Sequence, residues 1–400
     1  MKNQIKKLVP VLLSFIWILN VNAQVEFEKH TIVSEGTEMW WARSQADVNN
    51  DGLLDLFVIN NNAKGGALLW YETVPGFGES IKHVIAEKSP EGKVFAAGDI
   101  AAGDIDNDGD MDVLGPVSPG EWGGADQPLT LYWYENPGWK AHKIAVFPSF
   151  VKDFDLVDMN GDGKLDVAAT THASRKMFVI RQDDPQNWSK AAEVYVEHLH
   201  EGQHVGDVDG DGDVDVVSTG FCFFNPGGDM TGAWFVQNID PYWNNEDAYT
   251  WEYNATKIFC ADVDGDKIDE VFISCSEKFR TRVAWYDYES SCSKWIRHEI
   301  GQNAYAHTLQ VGDIDNDGDM DVLSGNNGDQ GDPNYSPVII FYQGSGEPWE
   351  VWSKQQVLTK QGAYNSLLGD ADGDGDLDFF RYSGHVGKTY ELWENKAIDK

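Results

Sequence analysis

Cysteine is scarce in this chain. Cys222, Cys260, Cys275 and Cys292 are the whole supply, and no two are spaced as CxxC. That spacing argues against a structural zinc site, and the four residues allow three full disulfide pairings among which the sequence does not choose. Positive charge is also short. Thirty Lys and Arg face 66 Asp and Glu, a formal net charge of −36, which argues against DNA or an anionic membrane as a general partner. Long apolar runs are missing beyond Leu19, as are extended apolar stripes of helical period. Nucleophile elbows, Cys-His signatures, P-loops and dinucleotide fingerprints are absent as well.

The one apolar run lies at the start. Lys2, Lys6 and Lys7 precede Leu8 to about Leu19, and Val21-Asn22-Ala23 has the small-residue pattern of a leader cleavage site. The run is short for a membrane span and contains Pro10. Residues 1–23 are therefore expected to be a signal peptide, with a secreted or periplasmic destination and no stable membrane insertion after cleavage. No cysteine follows the cleavage point, which argues against a lipoprotein.

What the chain has in excess is aspartate at fixed spacing. In Gly206 to Val216, Asp207, Asp209, Asp211 and Asp215 stand at positions 1, 3, 5 and 9 of a loop, with Gly212 at position 6. Carboxylates on alternate residues converge as such a loop curls, and the glycine permits the sharp turn, an arrangement suited to a hard divalent cation. The device occurs seven times. The other sets are Asp47, Asn49, Asp51 and Asp55; Asp104, Asp106, Asp108 and Asp112; and Asp158, Asn160, Asp162 and Asp166. Then come Asp262, Asp264, Asp266 and Glu270, where Lys267 replaces the glycine; Asp313, Asp315, Asp317 and Asp321; and Asp370, Asp372, Asp374 and Asp378. A single acidic loop is more often a solvated turn than a metal site. Seven in register, their first aspartates spaced almost evenly from Asp47 to Asp370, reverse that judgement.

Each repeat carries four strand-like segments: an apolar lead into the loop, a β-rich run after it, an aromatic strand such as Leu131-Tyr132-Trp133-Tyr134, and a last strand such as Lys82-His83-Val84-Ile85. Four strands per repeat of this length is the pattern of a propeller blade. The repeats fill residues 24–400 and leave no room for another domain. The seventh lacks its fourth strand, and Glu28 to Val33 repeats the Lys-His-x-Ile pattern of that strand. The expected fold is an all-β, seven-bladed propeller closed by its N-terminal strand.

The D-x-[DN]-x-D-G-x-x-D loops at this spacing, with strands before and after, resemble the FG-GAP or VCBS repeats of integrin-type β-propellers. The resemblance covers 24–400. It implies one structural Ca2+ per loop, up to seven, held by the loop residues named above. The fifth loop departs from the pattern at Lys267 and Glu270. Loss of the three leader lysines takes the charge to −39, and seven Ca2+ would bring it to about −25.

Blade order puts the acidic turns on one face and the loops entering each innermost strand on the other. On that second face the sequence gathers Trp40, Trp41, Trp122, His172, His200 and His385 as candidate ligand-binding residues. His204, His307, Tyr305, Arg43, Arg175 and Lys257 are candidates for catalysis. His30, His83, His142 and His298 recur at one blade position and read as structural. The leading expectation is a monomeric binding propeller for a glycan or protein ligand. The alternative is a lyase or dehydratase performing β-elimination on a sugar or uronate, with Arg or Lys on the carboxylate and His or Tyr moving the proton. A purely structural envelope module is the third reading.

Overall fold

In the computed structural model, residues 24–35, 42–59, 66–96, 98–118, 126–244, 251–328, 334–344, 348, 352–382 and 389–398 are described. Among them, 28 strands form seven antiparallel sheets of four. Six blades are continuous in sequence. Blade one runs from Ala42–Ala46 at the axis to Ile81–Ala86 at the rim, and blade six from Ala306–Gly312 to Ser353–Leu358. The seventh takes Leu367–Gly369, Asp378–Tyr382 and Tyr390–Asn395 from the C-terminal end and its outer strand, Phe27–Val33, from the N-terminal end. Phe27 lies opposite Asn395 and Val33 opposite Tyr390, so the ring closes as the repeated pattern required.

Burial follows position in the blade. The second strand is covered on both sides, as in Asp55–Ile59 and Glu270–Cys275, where every residue is buried. The rim strand alternates, as in Lys294–Gln302. Apolar clusters fill the spaces between neighbouring blades. One joins Trp133, Phe147 and Phe154 across blades two and three, and another joins Trp285, Leu309 and Phe341 across blades five and six. The innermost strands crowd the axis. A Cβ on Gly98, in the chain entering blade two, would lie 2.1 Å from the backbone carbonyl oxygen of Lys152 in the next blade. Only glycine admits that approach.

Blades are also latched to one another beside the acidic turns. In four blades a side-chain amide near the end of the third strand donates to a turn carbonyl of the preceding blade: Asn136 to Val48 O at 3.2 Å, Gln182 to Ile105 O at 2.7 Å, Asn225 to Met159 O at 3.0 Å and Asn395 to Ile314 O at 2.8 Å. At the closure, Gln45 Nε2 of blade one donates to Leu368 O of blade seven at 2.7 Å. No helix among the described residues is long and apolar enough to cross a membrane.

Candidate functional site

The seven turns share one geometry. In six of them the position 1 carboxylate accepts the backbone N–H groups of positions 5 and 6, as Asp47 does from Asp51 at 3.0 Å and Gly52 at 2.8 Å; Asp207 accepts those of positions 4 and 6, Gly210 at 2.9 Å and Gly212 at 3.0 Å. Position 6 has positive φ throughout, from 82° to 99° at the six glycines and 76° at Lys267. Position 4 is also left-handed, and it is always Asn or Gly: Asn50, Asn107, Gly161, Gly210, Gly265, Asn316 and Gly373. These are the residue types that adopt that region at least cost.

Position 9 ties the turn to the sheet. Asp215 Oδ2 accepts Val208 N at 3.3 Å and its Oδ1 accepts Asn225 N at 2.7 Å. Burial pushes these carboxyls up, to about 7 at Asp55, Asp112 and Asp378, about 6 at Asp166, and about 8 at Asp215, Glu270 and Asp321. Neighbouring turn carboxylates push in the same direction, opposed by the backbone N–H bonds. Donor oxygens converge within 4.8 Å of one another in Asp104, Asp106 and Asp108, in Asp207, Asp209 and Asp215, and in Asp262, Asp264 and Glu270. Asp315 Oδ1 is buried with no hydrogen-bond donor among the described residues. All-oxygen donor sets of this kind fit a hard cation such as Ca2+, which would supply the positive charge that the buried carboxylates lack.

On the opposite side, a cavity of about 120 Å³ sits on the axis and draws residues from every blade. Arg43, Asp99, Asp153, His204, Lys257, His307 and Asn365 line it. Beside it lies a buried ionic network. Glu201 receives Lys152 Nζ at 3.0 Å and His307 Nε2 at 3.3 Å, and Lys257 Nζ lies 3.7 Å from Asp153. His307 Nε2 also meets Glu277 at 3.1 Å, its Nδ1 meets Asn365 Oδ1 at 2.7 Å, and its ring stacks on Tyr364 at 3.7 Å. Burial raises Asp99 and Asp153, while the Lys152 ammonium and His307 bring Glu201 well below the usual carboxylate range against its own burial. Glu201, Glu277 and His307 also form a three-donor cluster, but the Lys152 ammonium already stands where a cation would compensate Glu201.

A second concavity of about 340 Å³ opens on the same side between blades five and six. Phe279, Tyr305 and Tyr335 supply aromatic surface, and Gln302, Asn303 and Asn326 supply amides. Phe279 is 73% exposed and Tyr335 52%, with the Phe279 and Tyr305 rings 6.1 Å apart.

An FG-GAP-like repeat matches residues 47–115, 158–218 and 262–324. Each matched segment begins on the first aspartate of one turn and ends in the strand after the next turn. The chain is a seven-bladed propeller that carries FG-GAP-like repeats in three matched segments. The human T-cell immunomodulatory protein is 24% identical over 173 residues, 42% of this chain, which spans 28% of that protein's length. Among solved structures, a chain from the complex of BBS1N with ARL6DN shares the fold at 10% identity and TM-score 0.55, covering 92% of this chain and 95% of that one. A Lactobacillus plantarum protein does so at 12% identity and TM-score 0.50, covering 84% and 97%.

Within this propeller the candidate residues separate. Arg43, His204, Lys257 and His307 meet at the axial cavity. Tyr305 belongs to the groove instead. His172 and His200 pair at 5.5 Å, and burial lowers both to about 4, with Lys152 and Arg175 adding repulsion at His172. Trp40, Trp41, Trp122 and His385 lie outside the described residues. The recurring histidines pack as structural groups: His83 on Trp70 at 4.1 Å, His142 on Trp133 at 4.5 Å and His298 on Trp285 at 3.9 Å. His30 meets Glu394 at 2.7 Å. All four cysteines are free thiols, with Cys222, Cys260 and Cys275 buried. Phe279, Tyr335 and the buried acids Glu201, Glu277 and Asp153 were not singled out by sequence. Glu201 lies in the His-rich stretch entering blade four, and Glu277 and Phe279 in the loop between the second and third strands of blade five.

Proposed function

We propose that this chain is an exported, calcium-stabilised binding propeller that takes a carbohydrate on the face opposite its acidic turns. The groove between blades five and six carries the reading. An exposed aromatic ring beside three amides offers what a sugar ring needs, apolar C–H contact on a flat face and hydrogen bonds at its edge. Its volume, about 340 Å³, falls within the range of small-molecule sites, which begins at roughly 300 Å³. Ca2+ would be held by the seven turns on the far side and would offset part of their negative charge without meeting the ligand. Cleavage after Ala23 would leave the closing strand, Phe27–Val33, intact together with Val25, whose carbonyl accepts Gln355 Nε2 at 2.8 Å.

β-Elimination on a uronate is the second reading, favoured by the convergence of Arg43, His204, Lys257 and His307. Two observations weigh against it. The axial cavity, about 120 Å³, is well below the range of substrate sites, and His307 and Lys257 face acidic partners within the protein. A glycan array probed with and without calcium, run beside an absorbance assay for unsaturated sugar products, tests both. Binding without product, weakened by Phe279→Ala and Tyr335→Ala, is expected. Product formation abolished by His204→Ala would make elimination the function instead.

A further inference from the structure

The loop that supplies Phe279 also carries the cations on either side of it. Lys278 Nζ lies 5.3 Å over the Tyr253 ring, and the Arg280 guanidinium lies 4.0 Å over Tyr242 while its Nη1 donates to Tyr253 O at 2.7 Å. Arg282 covers Tyr242 at 3.7 Å. Phe279 lines the groove toward blade six, so its two neighbours form a cationic ridge along the blade-four side of the same loop. Asp240 is committed elsewhere. It pairs with Arg282 at 3.2 Å and Arg297 at 3.5 Å and accepts the Tyr286 hydroxyl at 2.8 Å. Among the described residues no carboxylate comes within ion-pair distance of Lys278 or Arg280. In a chain of net charge −36, these two cations stand on neighbouring aromatic faces with no acidic partner among those residues.

The geometry points to an anionic saccharide as the ligand, its ring on Phe279 in the groove and its sulfate or carboxylate on Lys278 and Arg280. This rests on the carbohydrate reading above and narrows it. Stacking on Tyr242 and the bond to Tyr253 O fix the guanidinium plane before a ligand arrives, so less order is lost when an oxyanion docks. Lys278 adds a second charge on the same ridge, over the Tyr253 ring. The surrounding negative field repels polyanions in general, so retention of one would reflect this local site rather than bulk attraction.

Affinity electrophoresis in saturating calcium, with matched polymers in the gel, tests the inference. The pairs are dextran sulfate with dextran, and polygalacturonate with its methyl ester. Retardation by one charged polymer over its neutral partner is expected, and which pair responds tells sulfate from carboxylate. Lys278→Gln with Arg280→Gln should weaken that retention about tenfold or more, the value of one to two charge-assisted bonds. Lys140→Gln, in the exposed turn on the acidic face, should leave it unchanged. Phe279→Ala should weaken retention in either member of a pair. Equal retention by charged and neutral members, lost in Phe279→Ala but kept in the double variant, would overturn the anionic inference and leave the carbohydrate reading standing. Charged retention untouched by the double variant would overturn the location. No retention by any of the four would overturn both.

Discussion

The two faces of this propeller are built on opposite rules. The acidic face is one device made seven times, with the same left-handed positions and nearly the same clamps, joined in four blades by a side-chain amide latch to the blade before. On the other face no single group is contributed to the axis by every blade. Arg43, Asp99, Asp153, His204, Lys257, His307 and Asn365 stand at roughly corresponding places. Repetition signals a structural demand that every blade must meet. Difference between blades signals a surface released from that demand, and the groove and cationic ridge occur there.

The strongest way to break the comparison is to remove the closure that both faces share. Deleting residues 24–34 takes away the outer strand of blade seven, including buried Ile32 and Val33, and exposes the edge of Tyr390–Asn395. Aggregation or a large fall in Tm is expected. A truncated protein that stays monodisperse with an unchanged Tm would contradict the closure account.

Chelation should act next, and on the acidic face alone. Each ion that binds only the folded state contributes about 2.7 kcal/mol at a hundredfold excess over Kd. A large drop in Tm with chelator, restored by Ca2+ better than by Mg2+, is expected in differential scanning calorimetry. An unchanged Tm in a protein that carries no metal would count against the turns as ion sites.

On the other face, Lys152→Met leaves Glu201, fully buried, without its nearest ammonium. Breaking such a buried pair costs about 3–5 kcal/mol, to be read from urea unfolding in saturating calcium. A loss below about 1 kcal/mol would mean that Lys257 and His307 suffice to hold Glu201.

Acid should also act through this face. His172 and His200 titrate near 4 in the fold against about 6.5 when unfolded, so the unfolded chain binds more protons between those values. Their contribution is complete above pH 6.5 and is lost as pH falls toward 4. Asp99 and Asp153, raised by burial, act in the opposite sense. The informative quantity is therefore the difference between wild type and His172→Gln across that window in saturating calcium. The difference should shrink as pH falls, and a flat difference would refute the assignment.

The smallest expected effect concerns the one irregular turn. Lys267 holds φ 76° where the other six turns have glycine. Lys267→Gly should stabilise by about 0.5–1 kcal/mol, relief of left-handed strain outweighing the added backbone entropy. Destabilisation would show that the lysine side chain has a role beyond its backbone.

The sequence was most informative where physics repeats. Aspartates at positions 1, 3, 5 and 9, a turn glycine and four strands in every repeat placed the blades and even the borrowed strand. Asn or Gly stands at position 4 of every turn, but its left-handed role emerged only from the φ angles. The axial cluster was half legible. His204, His307, Arg43 and Lys257 could be placed by blade order, whereas their partners Glu201, Glu277 and Asp153 were hidden among 66 acidic residues. The groove escaped because it is made between blades. Phe279, Tyr305 and Tyr335 come from three different loops, and nothing in their spacing joins them.

The division between faces is tested most directly by hydrogen exchange of the calcium-loaded protein, with and without the acidic polysaccharide that retains it. Protection is expected in residues 276–282 and 302–305 and nowhere in the seven acidic turns. Ligand-induced protection centred on turns such as 207–215 or 313–321, with the Phe279 loop unchanged, would contradict the account.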